Sequence, residues 1–153
     1  MDAPEPPPPR RILALDVGKR RIGVAVSDPL GITAQGLPTL ERTRVRDDVS
    51  ALAALAQEYS VEVFLIGHPL HMSGDESRQA DYTRDFAGRL SRQTGIPVKF
   101  WDERMTSVQA ERVLRESGIS IEKRARAVDK LAAVILLESY LDSLPRAASR
   151  DYE

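Results

Sequence analysis

The chain has no cysteine. That excludes a disulfide scaffold, a thiolate zinc site and a thiol nucleophile, and it fits a reducing compartment. Long apolar runs are missing too. The longest strongly apolar stretch, Leu131 to Leu137, is far too short to cross a bilayer, and the N-terminus carries no apolar signal core. The chain therefore reads as soluble, cytoplasmic and unexported, with no membrane partner. An excess of positive charge is also lacking. The formal net charge is -1, whereas proteins that coat nucleic acid by bulk electrostatics are basic as whole domains. Any contact with nucleic acid must come from local charge. Lysine is scarce, limited to Lys19, Lys99, Lys123 and Lys130, so most cations are arginines, whose planar fork suits bidentate phosphate contacts.

What is present suits one domain: 153 residues, 42% of them hydrophobic, enough to bury a sizeable core. Pro4 and the run Pro6 to Pro9 cannot donate backbone hydrogen bonds and favour extended conformations, which sets residues 1–10 apart as a disordered proline-rich tail. Pro145 stops the last helix and leaves 145–153 as a second flexible tail. The folded domain is expected over 11–144, with no internal repeat.

Within it, Ile12 to Val17 and Ile22 to Ser27 are β-rich apolar segments joined through Gly18 and the cationic triplet Lys19, Arg20 and Arg21, a hairpin pattern. A third strand is expected from Ile32 to Leu40. Val49, Leu52, Ala53, Leu55, Ala56 and Tyr59 follow helical spacing, behind Asp47 and Asp48 at a helix start that favours negative charge. Val61 to Ile66 reads as a buried strand. A helix from Asp75 to Gln93 carries Tyr82, Phe86 and Leu90 on one face and stops at Gly95. Pro97 to Trp101 is the fifth strand. Thr106 and Gln109 form a capping-box pattern for a helix to Ser117, and a last helix is expected from Ala125 to Ser143. The order β-β-β-α-β-α-β-α, followed by the last helix, predicts an α/β fold of RNase H-like type, a mixed five-stranded sheet with helices on both faces.

Four carboxylates stand in costly places. Asp16 ends an apolar strand, Asp102 and Glu103 end another, and Asp129 lies on a nearly apolar helix, sharing a face with Ala133, Leu136 and Tyr140. Singly, each has an ordinary explanation: a strand-end turn cap, or a surface pair between Asp129 and Lys130. Together they can converge at one sheet edge, where hard oxygen ligands suit Mg²⁺ or Mn²⁺ and two-metal phosphodiester chemistry. Because strand side chains alternate, Asp102 and Glu103 should face opposite ways. Glu103 has the longer reach and is taken as the ligand, with Asp102 a supporting or turn residue.

Leu13 to Asp28 (LALDVGKRRIGVAVSD), Ile66 to Gly74 (IGHPLHMSG), Trp101 to Ala110 (WDERMTSVQA) and Val128 to Leu141 (VDKLAAVILLESYL) resemble the YqgF/RuvX family. These four motifs lie in register and span almost everything between the tails. The resemblance implies an RNase H-like nuclease that matures the 5′ end of pre-16S rRNA, with ribosomal precursor particles as partners. A Holliday-junction resolvase role on branched DNA is the alternative. It also implies that Asp16, Glu103 and Asp129 are the catalytic, metal-binding acids. Lys19 departs from the family pattern, where a small or hydroxyl residue is usual, and so do His68 and His71, where Leu and Asn are common.

Around the acids, Gly18, Lys19, Arg20, Arg21, Arg104, Lys123, Arg124 and Arg126 are candidate substrate-binding residues, with a solvated cationic face as the competing explanation. Gly18 and Gly23 suggest positive φ angles or close approach of a phosphate to the backbone. His68 and His71 lack the ligand set of a zinc site. The stretch 67–74 reads better as a site rim, with Ser73 or Asp75 near a helix start. Trp101 is expected in the core. Two rival functions remain: an ATP-binding actin-like module, for which a single domain of this length is half of what is needed, and a non-catalytic RNA-binding assembly factor.

Overall fold

The computed structural model describes residues 11–68, 75–102 and 121–144; at 68, 75–77 and 121–126 it describes the backbone alone. The expected 106–117 helix and both tails lie outside the described residues. The elements are β1 (Ile12–Val17), β2 (Arg21–Ser27), β3 (Ala34–Glu41), α1 (Val45–Glu58), β4 (Val63–His68), α2 (Asp75–Thr94), β5 (Val98–Asp102) and α3 (Ile121–Ser143). They build a five-stranded mixed sheet in the order β3-β2-β1-β4-β5. The hairpin strands β1, β2 and β3 pair antiparallel, whereas β4 and β5 add in parallel beside β1.

The two-residue period of the strands divides the apolar residues between two cores. Leu13, Leu15, Val17, Ile22, Val24, Phe64 and Ile66 face α1 and α2, where Leu52, Phe86 and Leu90 fill the other side. Ile12, Ala14, Ala25, Val63 and Leu65 face α3 and meet Ala133, Leu136, Leu137 and Tyr140. The small residues Ala14 and Ala25 sit centrally under α3, and Gly23 and Gly36 border it. The helix therefore packs close to the sheet.

Element boundaries differ from the sequence reading where local hydrogen bonds intervene. The third strand begins at Ala34 because the Asp28 carboxylate accepts the backbone N–H groups of Ile32 (2.6 Å) and Thr33 (2.8 Å), holding those residues in a turn. α1 begins two residues before Asp47, so Asp48 falls within its first turn and is buried. Arg21 belongs to β2 rather than to the turn. α3 starts four residues before Ala125. Gly95, at φ 73°, ends α2 as its position implied.

Candidate active site

All five strands bring one edge of the sheet to the same end. Val17, His68 and Asp102 are the last residues of the parallel strands, while Arg21 opens β2 and Glu41 closes β3 at that end. Open α/β sheets bind ligands beyond the carboxyl ends of their parallel strands. Asp16 is one residue from the end of β1, on the α3 face by alternation with Ile12 and Ala14, and half-buried.

Asp16 pairs across the sheet with Gly23, and Gly23 carries α3. A Cβ on Gly23 would stand 1.9 Å from the backbone carbonyl oxygen of Asp129. The missing side chain lets α3 touch the sheet at this point. Asp129 is thereby fixed beside the strand pair that holds Asp16, on the same face. Positive φ is not the reason for glycine at 18 or 23, since the positive-φ glycines among the described residues are Gly31 and Gly95. At Gly18 the constraint is the hairpin itself, because a Cβ would lie 2.8 Å from the Arg21 carbonyl oxygen.

Arg21 is held at this edge by Asp129. Its Nε–H donates to Asp129 Oδ2 at 2.8 Å, with the two side chains 26% and 23% exposed. The surface pair with Lys130 considered from sequence is replaced by this cross-layer pair. Burial pushes the Asp129 carboxyl above its ordinary value, and the Arg21 hydrogen bond and charge oppose that shift without cancelling it, while nearby Glu41 adds to it. Arg21 is correspondingly raised, chiefly by its bond to Asp129. The negative charge at Asp129 is thus only partly compensated. A hard divalent cation beside the Asp129 oxygens would complete the compensation.

The third acid and one candidate cation, Glu103 and Arg104, lie outside the described residues. Among the described residues, no three His, Cys, Asp or Glu side chains group as a metal site. Along β5, Trp101 faces α3: its ring meets Tyr140 edge-on at 5.2 Å, and its Nε1–H donates to Ser139 Oγ at 3.2 Å. Asp102 follows it and alternates to the other face. Lys123, Arg124 and Arg126 are on the first turns of α3, described by backbone alone, and Lys19 and Arg20 are exposed in the hairpin turn. The His68 backbone ends β4 opposite Asp102, and His71 lies outside the described residues.

Sequence reasoning missed the brace beneath the hairpin. Arg42 and Asp48 form an ion pair at 3.3 Å with side chains only 6% and 2% exposed. The Arg42 Nη1–H donates to the Gly18 carbonyl at 2.9 Å, and Asp48 Oδ1 accepts the Thr43 backbone N–H at 3.0 Å. The Gln79 side chain donates to the Val17 carbonyl at 3.2 Å. No sequence period links positions 42 and 48 across a strand-to-helix turn, which is why the pair is invisible before folding.

The model of the family described as "RuvX: Holliday junction resolvase" matches residues 10–143. A relative from Koribacter versatilis, named "Putative pre-16S rRNA nuclease", is 52% identical over 132 residues, covering 86% of each chain. Relatives of the same name from Clostridium novyi and Myxococcus xanthus are 46% and 42% identical, covering 88% and 93% of this chain and 99% and 93% of their own. Among solved structures, RuvC of T. thermophilus in complex with a Holliday junction substrate superposes with TM-score 0.54 at 13% identity, over 87% of this chain and 94% of that one. A Fowlpox virus resolvase bound to Holliday junction DNA gives TM-score 0.56 at 16% identity, over 89% and 99%. Both likenesses concern the fold, which is RNase H-like as the element order predicted. With a match spanning every described element and relatives near half identical, the chain belongs to the RuvX family.

Proposed function

We propose that this chain is a divalent-metal-dependent nuclease that hydrolyses phosphodiester bonds of precursor 16S rRNA at its 5′ end, acting in the cytoplasm on ribosomal precursor particles. The observation that carries the reading is the placement of Asp16 and Asp129 on one face of the sheet's carboxyl edge through the contact at Gly23. The names of relatives covering most of their length support the rRNA substrate.

In this reading Asp16, Glu103 and Asp129 hold Mg²⁺ or Mn²⁺. When bound, such ions activate water and stabilise the leaving oxygen. The chain's own residues do the rest. Arg21 fixes the Asp129 carboxylate, the hairpin turn presents Lys19 and Arg20 to phosphates around Gly18, and Arg104, Lys123, Arg124 and Arg126 supply further phosphate contacts. None of these reads base sequence by itself.

A matched panel of a 5′-extended 16S rRNA fragment, single-stranded DNA and a four-way DNA junction, at equal salt and Mg²⁺, tests the substrate. The RNA should be cut at least as well as the junction. Paired symmetric nicks in the junction with intact RNA would replace this reading by the resolvase one.

A further inference from the structure

The hairpin turn that carries Lys19 and Arg20 is anchored on both faces of the sheet. On the α3 face, Arg21 is held by Asp129. On the opposite face a single residue, Arg42, grips the turn at two points that bracket Lys19. Its Nη1–H donates to the Gly18 carbonyl at 2.9 Å, and its backbone N–H donates to the Arg20 carbonyl, also at 2.9 Å. The turn is closed from within by the Gly18 N–H, which donates to the Arg21 carbonyl at 3.0 Å.

Arg42 is itself immobilised. Its Nε–H donates to Asp48 Oδ2 and its Nη2–H to the Tyr82 hydroxyl, and its guanidinium lies 5.0 Å and 5.1 Å from the ring centroids of Tyr82 and Phe86. The turn is thus tied through one side chain to α1 and α2, which carry those partners. Well-packed apolar residues would serve stability at least as well as a buried ion pair. They could not hold a carbonyl. At 6% exposure the Arg42 side chain is no phosphate contact in its own right. Lys19 and Arg20, by contrast, are exposed and make no ion pair among the described residues.

We propose that Arg42 is a positioning residue for nucleic acid. By fixing the carbonyls on either side of Lys19, it sets the direction in which Lys19 and Arg20 leave the turn, so that they meet a phosphodiester backbone at the edge that carries Asp16. The inference rests on the nuclease reading above and deepens it. Lys19 stands three residues past Asp16, and a loose turn would spread its charge over many directions. Three consecutive cations, Lys19 to Arg21, repel one another and would drive that spread. A fixed turn removes part of the ordering cost that long cationic side chains bring to binding.

The test is a double-mutant cycle in the binding of a fluorescein-labelled single-stranded RNA to the full chain in EDTA, where cleavage does not interfere. Lys19→Gln in the parent should weaken binding about 5-fold. It should also lower the slope of log affinity against log salt by about 0.7, the value for one phosphate contact on a single strand. In the chain with Arg42→Met and Asp48→Leu, which leaves no buried charge unpaired, the same Lys19→Gln change should cost less than about 2-fold and leave the slope as it was. A general loosening of the fold would weaken binding without making the loss at Lys19 depend on Arg42. Equal Lys19→Gln losses in the two backgrounds would overturn the proposal, and so would a Lys19→Gln parent with unchanged affinity. Amide exchange in the unaltered chain tests the grip without any variant. The Gly18 and Arg42 N–H groups should exchange at least about 100-fold more slowly than in a free peptide, and exchange at the free-peptide rate would overturn the proposal even where the double variant does not fold. The expected coupling with no cleavage in Mg²⁺ or Mn²⁺ would sustain the positioning role while refuting the nuclease reading.

Discussion

Gly23 and Asp129 touch so closely that no other residue fits between their backbones: a Cβ at 23 would penetrate to 1.9 Å from the Asp129 carbonyl oxygen. The contact is backbone to backbone, so no flexible side chain can yield. Gly23→Ala should therefore force α3 off the sheet, destabilising the fold by about 2–3 kcal/mol and separating Asp129 from Asp16. Thermal unfolding should register a fall of about 5–10 °C, with cleavage lost even below the midpoint. Gly36→Ala makes the control, because its nearest neighbour is the flexible Lys130 side chain, and it should lose less. Equal stability of Gly23→Ala and the parent would contradict the close approach.

Asp16→Asn keeps the shape of the side chain and removes its charge. Folding should be unchanged by circular dichroism, while cleavage falls by about 100-fold or more, as expected when a metal-binding acid is neutralised. A folded, metal-saturated variant with full activity would remove Asp16 from the catalytic set.

Cleavage should depend on Mg²⁺ or Mn²⁺ and vanish after exhaustive chelation. Ca²⁺ should support substrate binding with little turnover, because its looser, larger coordination misplaces the reacting oxygens. Undiminished cleavage in EDTA would rule out the mechanism.

Asp48→Ala would leave the buried Arg42 guanidinium without its carboxylate, and breaking one half of a buried pair costs about 3–5 kcal/mol. Urea unfolding should show that loss. Replacing both members, as in Arg42→Met with Asp48→Leu, should recover much of the stability, because no buried charge is then left unpaired.

Asp28 gives a prediction for acid stability. Its carboxyl lies below its ordinary value, chiefly because the Thr33 backbone N–H donates to it. A depressed folded-state pKa contributes stability that is complete above the unfolded value, near 3.9, and is lost as pH falls through the folded value. Asp28→Ala should thus be less stable than the parent at neutral pH, by up to about 1 kcal/mol for the exposed hydrogen bonds it forfeits. The gap should narrow below about pH 4. A gap that stays constant down to pH 2 would show that ionisation of Asp28 is irrelevant.

The sequence by itself determined the order of the described elements, the two-sided burial of the sheet and the strand-end position of Asp16. Each follows from a local period: two for Leu13, Leu15 and Val17 facing one core while Ile12 and Ala14 face the other, and 3.6 for Ala133, Leu136 and Tyr140 on α3. The four motifs that resemble the RuvX family were legible for the same reason, since each is contiguous. Contacts between distant positions were decided only by the tertiary structure. Gly23 looked like a turn glycine until the helix 106 positions later was laid against it, and Arg21 looked like a solvated hairpin cation until Asp129 met it across the layers. The Arg42 and Asp48 pair left no periodic trace, and Tyr82, which the helical period groups with Phe86 and Leu90, is exposed where those two are buried. Their partners are fixed by how the helices and the hairpin pack in three dimensions, a pattern that neighbouring residues in the chain do not encode.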